Sequence, residues 1–186
     1  SNDFHVKKIL KGYLPEDKES MEYAVLLEWN NVYYQEKPTL INEPKSVVRI
    51  GLIQWQMRNF ADMDKLFEQV EFFIDAVSGY NSDFVLFPEF FNAPLMADYN
   101  DLPEPDAIRK LAQFTEPSRQ RFTDLAIAYN INIITGGMPF LKNDQLKNVG
   151  YLCRRDGSYE EYEKIHITPS ELSSWGMVGG DEIKVL

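Results

Sequence analysis

The chain has 186 residues, 44% of them apolar and 13% aromatic, enough to enclose a core and too apolar for a disordered polymer. Its net charge of -10 repels polyanions, and no cluster of Lys and Arg interleaves with aromatics, so nucleic acid and anionic membrane surfaces are excluded as partners. A single cysteine, Cys153, rules out an intrachain disulfide; with no bilayer-length apolar run and no signal pattern in the first residues, the expected location is cytoplasmic.

Residues 1–34 read differently from the rest of the chain. A short mixed segment over 6–10 and a turn-like stretch over 12–17 precede Met21, Tyr23, Val25, Leu27 and Trp29, which alternate with their neighbours as a half-buried strand does. Polar residues and two prolines, Pro38 and Pro44, then mark residues 35–46 as a linker.

From residue 47 the pattern sharpens. Residues 47–55 predict a strand, and Met63, Leu66, Phe67, Val70, Phe73, Ile74 and Val77 recur at offsets of three and four. That spacing is one apolar stripe of a helix ending near Gly79, with Asp64, Lys65, Glu68 and Glu71 facing water. Phe84, Val85, Leu86 and Phe87 then form an apolar run that Pro88 ends, because proline offers a sheet no donor. The run predicts a strand buried on both faces, and strand-helix-strand predicts a parallel pair with a right-handed crossover. Glu89 stands at the carboxyl end of that strand, the edge at which open α/β sheets bind ligands. Flanked by Phe90 and Phe91, it is either a partly desolvated general base or a solvated glutamate opening a surface loop.

Pro94, Pro103 and Pro105 predict a long loop over residues 92–106, covering the same edge. A short helix is expected over 106–114, and Glu116-Pro117 opens another with Phe122, Leu125, Ala126 and Tyr129 inward. Residues 131–137 predict a third buried strand ending in Gly136-Gly137, glycines that either admit a close neighbour or form a bulge. Residues 149–154 and 159–166 flank Asp156-Gly157, a type I′ hairpin signal that turns the sheet antiparallel. Residues 168–180 predict a turn-rich loop, and a further strand starts at Ile183. Lys164 leaves the hairpin just before the loop containing Pro169. It either points to the edge that holds Glu89, where an ammonium can stabilise a carboxylate or an oxyanion, or is an ordinary solvated lysine.

These segments carry two resemblances. Gly12-Tyr13-Leu14-Pro15 and Tyr23-Ala24-Val25-Leu26-Leu27-Glu28-Trp29 resemble the last strands of GNAT-type acetyltransferases, which implies an acetyltransferase-like tail or N-terminal extension over 1–34, though no pyrophosphate-binding loop accompanies it. The second is broader. The strand at 48–55, Phe84-Val85-Leu86-Phe87-Pro88-Glu89, Ile133-Ile134-Thr135-Gly136-Gly137, Asn148, Asp156-Gly157 and Tyr162-Glu163-Lys164-Ile165-His166-Ile167-Thr168-Pro169 resemble, in order and approximate spacing, the nitrilase or carbon-nitrogen hydrolase superfamily.

That resemblance covers residues 47–186 as the N-terminal half of such a domain and implies an α/β fold, an α-β-β-α sandwich incomplete in this chain. It implies a Glu-Lys-Cys triad, with Glu89 as the base that takes the thiol proton, Lys164 as the group that holds the oxyanion, and Glu171 as a second glutamate holding the site. It also implies a small amide or nitrile as substrate, a thioester intermediate, no cofactor and a homo-oligomer. His166 matches a frequent motif position and is read as packing or hydrogen bonding within its loop.

The nucleophile's motif falls after the strand starting at Ile183. Cys153, in the hairpin strand before the lysine, reads as a buried structural thiol. The chain alone is therefore expected to lack turnover, and its sheet to leave one apolar face uncovered and prone to associate. The alternative is a non-catalytic module of the same fold that binds a ligand or a partner chain. His5, His166 and Cys153 share no metal-ligand spacing, and Gly136-Gly137 and Gly179-Gly180 lack the residues of a phosphate loop.

Overall fold

The computed structural model describes residues 4–11, 23–29 and 47–183, which fall in two units, Ser1–Lys45 and Ser46–Leu186. In the first, β1 (Phe4–Lys11) pairs antiparallel with β2 (Tyr23–Trp29), with Phe4 opposite Trp29 and a register shift between Val6 and Lys8. The turn-like stretch over 12–17 and the linker over 35–46 lie outside the described residues.

The second unit is a mixed six-stranded sheet with helices on one face. β3 (Ile50–Leu52), β4 (Phe84–Leu86) and β5 (Asn132–Ile134) run parallel in that order. β7 (Gln145–Cys153) is antiparallel to β5 through its last residues and to β6 (Met138–Lys142) through its first, so β5 and β6 lie end to end along one side of it. β8 (Tyr159–Glu163) pairs with the other side. The ladder of β3 is shorter than the strand expected over 47–55, although Arg49 O and Ile53 N–H still bond to the β4 segment at its two ends.

The helix between β3 and β4 follows its apolar stripe. α1 (Met63–Gly79) buries Leu66, Phe67, Val70 and Ile74, and Asp62 caps it by accepting from the Lys65 N–H at 2.8 Å. Residues 92–106 are more ordered than their prolines suggest: a 3-10 helix spans Ala93–Tyr99 and α2 spans Glu104–Leu111. Each has a proline in its first turn, where no backbone donor is required. α3 (Thr115–Ala128) places Phe122 at the centre of an aromatic cluster, with ring centroids 5.2 Å from Phe67, 5.2 Å from Phe87 and 5.3 Å from Phe91.

Two turns differ from expectation. The type I′ turn is at Asn143-Asp144, where φ is 50° and 63° and Lys142 stands opposite Gln145. At Asp156-Gly157 only the glycine takes a positive φ, 88°. The Asp156 carboxylate instead accepts from the Ser158 N–H at 2.9 Å, an Asx turn that holds the aspartate out of the left-handed region. Residues 168–180, expected as loop, contain α4 (Pro169–Trp175), closed by Gly176 at φ 67°.

The sheet's two faces are unequal. Gly51, Val85, Ile133 and Cys153 share a row on the helix side, where a Cβ at Gly51 would lie 2.4 Å from Val77. The opposite face carries Ile50, Leu52, Phe84, Leu86 and Ile134; Ile50 and Leu52 are exposed and Phe84 and Leu86 only half-buried, so β4 is not buried on both faces as its apolar run predicts, and this is an apolar face left uncovered as the family resemblance implies. The Gly136-Gly137 alternatives resolve to close approach. Gly136 has φ 70°, and a Cβ there would stand 2.4 Å from the Pro88 carbonyl oxygen. This contact sets the end of β5 against the segment that carries Glu89. Gly136→Ala is accordingly expected to cost about 3 kcal/mol of stability in urea unfolding, whereas Gly79→Ala, at a helical position with nothing within 4 Å, should add about 0.5–1 kcal/mol.

Candidate active site

Glu89 stands three residues past the end of β4, after Phe87 and Pro88. Phe87 N–H makes the last bond to β5, donating to Ile134 O at 2.9 Å, and Phe90 N–H then donates to Gly137 O at 2.8 Å. Between these two ties the chain turns sharply, and Phe90 takes φ 56°, a left-handed conformation that costs a bulky residue roughly 1–3 kcal/mol. The Phe90 ring packs edge-on against Trp175 of α4, 5.5 Å away, which fixes the turn from the other side. Glu89 therefore leaves the sheet edge on a constrained backbone.

Lys164 is the first residue after β8, and its N–H donates to Asn148 O at 2.9 Å. Its Nζ lies 3.0 Å from Glu89 Oε1 and 2.9 Å from each carboxylate oxygen of Glu171. All three expected site residues thus come together, although 75 positions separate Glu89 from Lys164. An ammonium has three protons, and here three oxygens receive them.

Glu171 is the buried member, only 4% exposed. It sits three residues into a capping box: Thr168 Oγ1 accepts from Glu171 N–H at 3.3 Å, and Glu171 Oε2 accepts from Thr168 N–H at 2.8 Å. One carboxylate therefore starts α4 and grips Lys164. The sequence signal was Thr168-Pro169-Ser170-Glu171 itself, a capping box with proline at the first helical position.

Burial disfavours the charged form of Lys164, but its hydrogen bonds to Glu171 and Glu89 outweigh that and hold the ammonium above the ordinary lysine range. Burial likewise opposes the Glu171 carboxylate and is outweighed by Lys164 and the Thr168 backbone, so this carboxyl titrates below the ordinary range. Glu89 is the open member. Its side chain is 47% exposed, more than its phenylalanine neighbours suggested, because Phe91 turns into the core and Phe90 packs on α4. Among the described residues its hydrogen bonds all fall on Oε1.

Two residues join the cluster that the sequence did not mark as site residues. Asn148 Nδ2 donates to Glu89 Oε1 at 2.6 Å and to Glu171 Oε1 at 3.3 Å. Tyr162 lies across Gly150, where a Cβ would meet its ring at 2.2 Å; burial, and after it the charge of Glu89, pushes this phenol up. The available signal for Asn148 was an amide inside a strand whose residues 148–153 are all buried, since a buried amide must find partners. His166, read as packing or hydrogen bonding within its loop, is exposed. Cys153 is fully buried on the helix side of β7, and burial pushes its thiol up. Among the described residues no cluster of His, Cys, Asp and Glu could hold a metal ion, and no helix is long and apolar enough to cross a membrane.

Comparisons with known proteins identify the family and the fold. The family model for carbon-nitrogen hydrolases matches residues 49–186. A probable hydrolase of Bacillus subtilis strain 168, YhcX, is 39% identical over 186 residues, covering 99% of this chain and 36% of that protein. The amidase from Nesterenkonia sp., in a structure of a mutant with the acetamide moiety of fluoroacetamide covalently added at the active site cysteine, aligns at TM-score 0.56 and 19% identity over 73% of this chain and 49% of its own. A carbon-nitrogen hydrolase from Helicobacter pylori aligns at TM-score 0.57 and 17% identity over 72% of this chain and 45% of its own. The chain thus spans about a third of its curated relative and about half of these structures.

The ion cluster makes a stability prediction. Lys164→Met leaves the Glu171 carboxylate buried without its cation and should cost about 3 kcal/mol at neutral pH, with Glu171→Gln in the same chain recovering part of the loss. Glu171, held low, contributes above the ordinary glutamate value and ceases to as pH falls through its folded value. Lys164, held high, contributes below the ordinary lysine value and ceases to as pH rises through its folded value. Chemical denaturation across pH should therefore show the gap between wild type and Lys164→Met widest between these limits and closing on both sides.

Proposed function

The chain belongs to the carbon-nitrogen hydrolase family, a hydrolase family of the nitrilase superfamily, and on that premise we propose that it supplies the acid-base and oxyanion half of a cysteine-dependent amidase. The observation that carries this reading is the Glu89–Lys164 pair, with one carboxylate oxygen tied at 3.0 Å and the other without a hydrogen-bond donor among the described residues. The adduct at the active site cysteine of the Nesterenkonia amidase supports thiol chemistry on a small amide.

In the proposed cycle a thiol gives its proton to Glu89 Oε2 and the sulfur attacks the amide carbon. The carbonyl oxygen becomes an oxyanion beside Lys164. Proton transfer prepares this step: a neutral Glu89 carboxyl holds Lys164 less strongly, and the N–H directed at Oε1 becomes available to the oxyanion. Collapse breaks the C–N bond, Glu89 returns its proton to the leaving nitrogen, and ammonia or an amine departs from a thioester. Water then attacks the thioester while Glu89 accepts its proton; the C–S bond breaks, Glu89 passes that proton to the sulfur, and the acid leaves with thiol and carboxylate restored.

Cys153 does not serve as that thiol. It is enclosed behind β7, raised by burial, and within 3.9 Å of the Arg119 carbonyl rather than of Glu89. In this scheme Cys153 is not the nucleophile, and residues 1–186 by themselves are expected to release no ammonia. Cys153 should resist thiol reagents in the native protein and react only on unfolding, and Cys153→Ala should leave turnover unchanged in any polypeptide that hydrolyses amides.

The direct test is ammonia release from small aliphatic amides by a polypeptide that carries these residues together with a cysteine nucleophile. Glu89→Gln should lower kcat/KM by about 10³-fold. Unchanged turnover would remove Glu89 from the role of base. Amide binding without any ammonia release would instead identify a binding module.

A further inference from the structure

Asn148 lies at the centre of the charged cluster and carries no charge of its own. It is 1% exposed, its carbonyl accepts the Lys164 N–H at 2.9 Å, and its side-chain amide reaches Glu89 Oε1 at 2.6 Å and Glu171 Oε1 at 3.3 Å. All three ionised groups are thus located relative to one residue of β7. The amide has room only because residue 137 is glycine, where a Cβ would fall 2.1 Å from Asn148 Oδ1. Its orientation is forced as well. Turned over, Oδ1 would face an ionised carboxylate oxygen with no proton between them, so Nδ2 faces the glutamates and Oδ1 stays buried without a partner.

We propose that Asn148 is a positioning residue for the hydrolytic reaction: its amide bridges the two glutamates, pins Glu89 through Oε1, and so selects Oε2 as the atom that takes the proton. The proposal rests on the assignment of Glu89 as the base. Its physical content is a division of labour between two oxygens of one carboxylate. Oε1 receives Asn148 and Lys164, and among the described residues Oε2 receives no donor that a proton would have to displace. A neutral bridge is needed because Glu171 is already a buried carboxylate. A second ammonium would satisfy both glutamates and leave neither basic, whereas a carboxylate would place three negative groups around one lysine.

The charged and titratable groups that face Glu89 are Lys164 after β8, Tyr162 on β8 and Glu171 on α4, and all remain in the variants that test the idea. Asn148→Leu removes the donor at similar volume. Asn148→Asp is isosteric and donates only while protonated. The Glu89 side-chain carboxyl is followed by 13C NMR against pH in this chain, assigned by the loss of its signal in Glu89→Gln.

In Asn148→Leu the Glu89 midpoint should rise by about one to two pH units, the equivalent of one charge-assisted hydrogen bond. In Asn148→Asp the pair of carboxyls should hold one shared proton above the ordinary carboxylate range. A midpoint that does not move in Asn148→Leu overturns the proposal. If that variant does not fold, an Asn148→Asp that titrates as two independent ordinary carboxyls overturns it equally.

In a polypeptide competent for turnover, Asn148→Leu should lower kcat about 100-fold at unchanged KM and shift the acid limb of the kcat/KM profile upward. Asn148→Asp should keep activity on the acid side and lose it as the shared proton dissociates. A merely structural role would depress both variants alike and leave the pH profile in place. The titration needs no turnover, so a Glu89 shift seen together with activity that survives Glu89→Gln would end the assignment of Glu89 as base and leave the bridge intact.

Discussion

One ammonium held between two carboxylates is the constraint on which the rest of the site depends. Lys164 could not be kept charged and three-quarters covered without Glu171, and Glu171 could not be buried ionised without Lys164 and the Thr168 N–H. The pairing is asymmetric because its surroundings are. Glu171 gives both oxygens to the lysine and one of them also to the helix start, so it has no spare basicity. Glu89 gives one oxygen and keeps the other, so the same cation stabilises it without exhausting it.

The frame around this cluster is stiff for reasons that lie in backbone chemistry. Pro88 ends the ladder of β4, Gly136 admits the Pro88 carbonyl where any side chain would collide, and the Phe90 N–H ties the next peptide to Gly137. Phe90 then holds a left-handed backbone that glycine would adopt more cheaply, and its ring against Trp175 supplies the compensation. β8 is held in place by charge: Glu163 is gripped by Lys142 at 2.7 Å and Lys147 at 3.3 Å, immediately before Lys164. The lysine therefore starts from a fixed strand end, and its long side chain has a single well-satisfied target.

The sequence disclosed much of this. The apolar period of α1, the run from Phe84 to Phe87 stopped by Pro88, and the order of motifs from Glu89 to Lys164 located the sheet, its covering helix and two ends of the ion pair. What it did not disclose has physical causes. The hairpin signalled by Asp156-Gly157 forms, but an Asx bond to Ser158 replaces the type I′ turn there, and the type I′ turn belongs to the separate hairpin at Asn143-Asp144. The capping box of α4 was present in the letters, but a seven-residue helix has too few turns for a period to show. Asn148 was visible as a member of the motif series without a role, because the role depends on which side of β7 meets two carboxylates from other elements. Exposure of Ile50 and Leu52 is a property of layers: an apolar run alone predicts burial, and only the family resemblance pointed to an uncovered face.

The separations along the chain give the cluster an order of assembly. Lys164 and Glu171 are seven positions apart and share a turn and a short helix, so their contact can form early and locally. Glu89 meets the same ammonium across 75 positions of chain, which hold α2, α3 and the antiparallel strands, so its contact closes a far longer loop. The local pair can thus form without the sheet, whereas the contact of Glu89 with the ammonium requires the sheet in its native register.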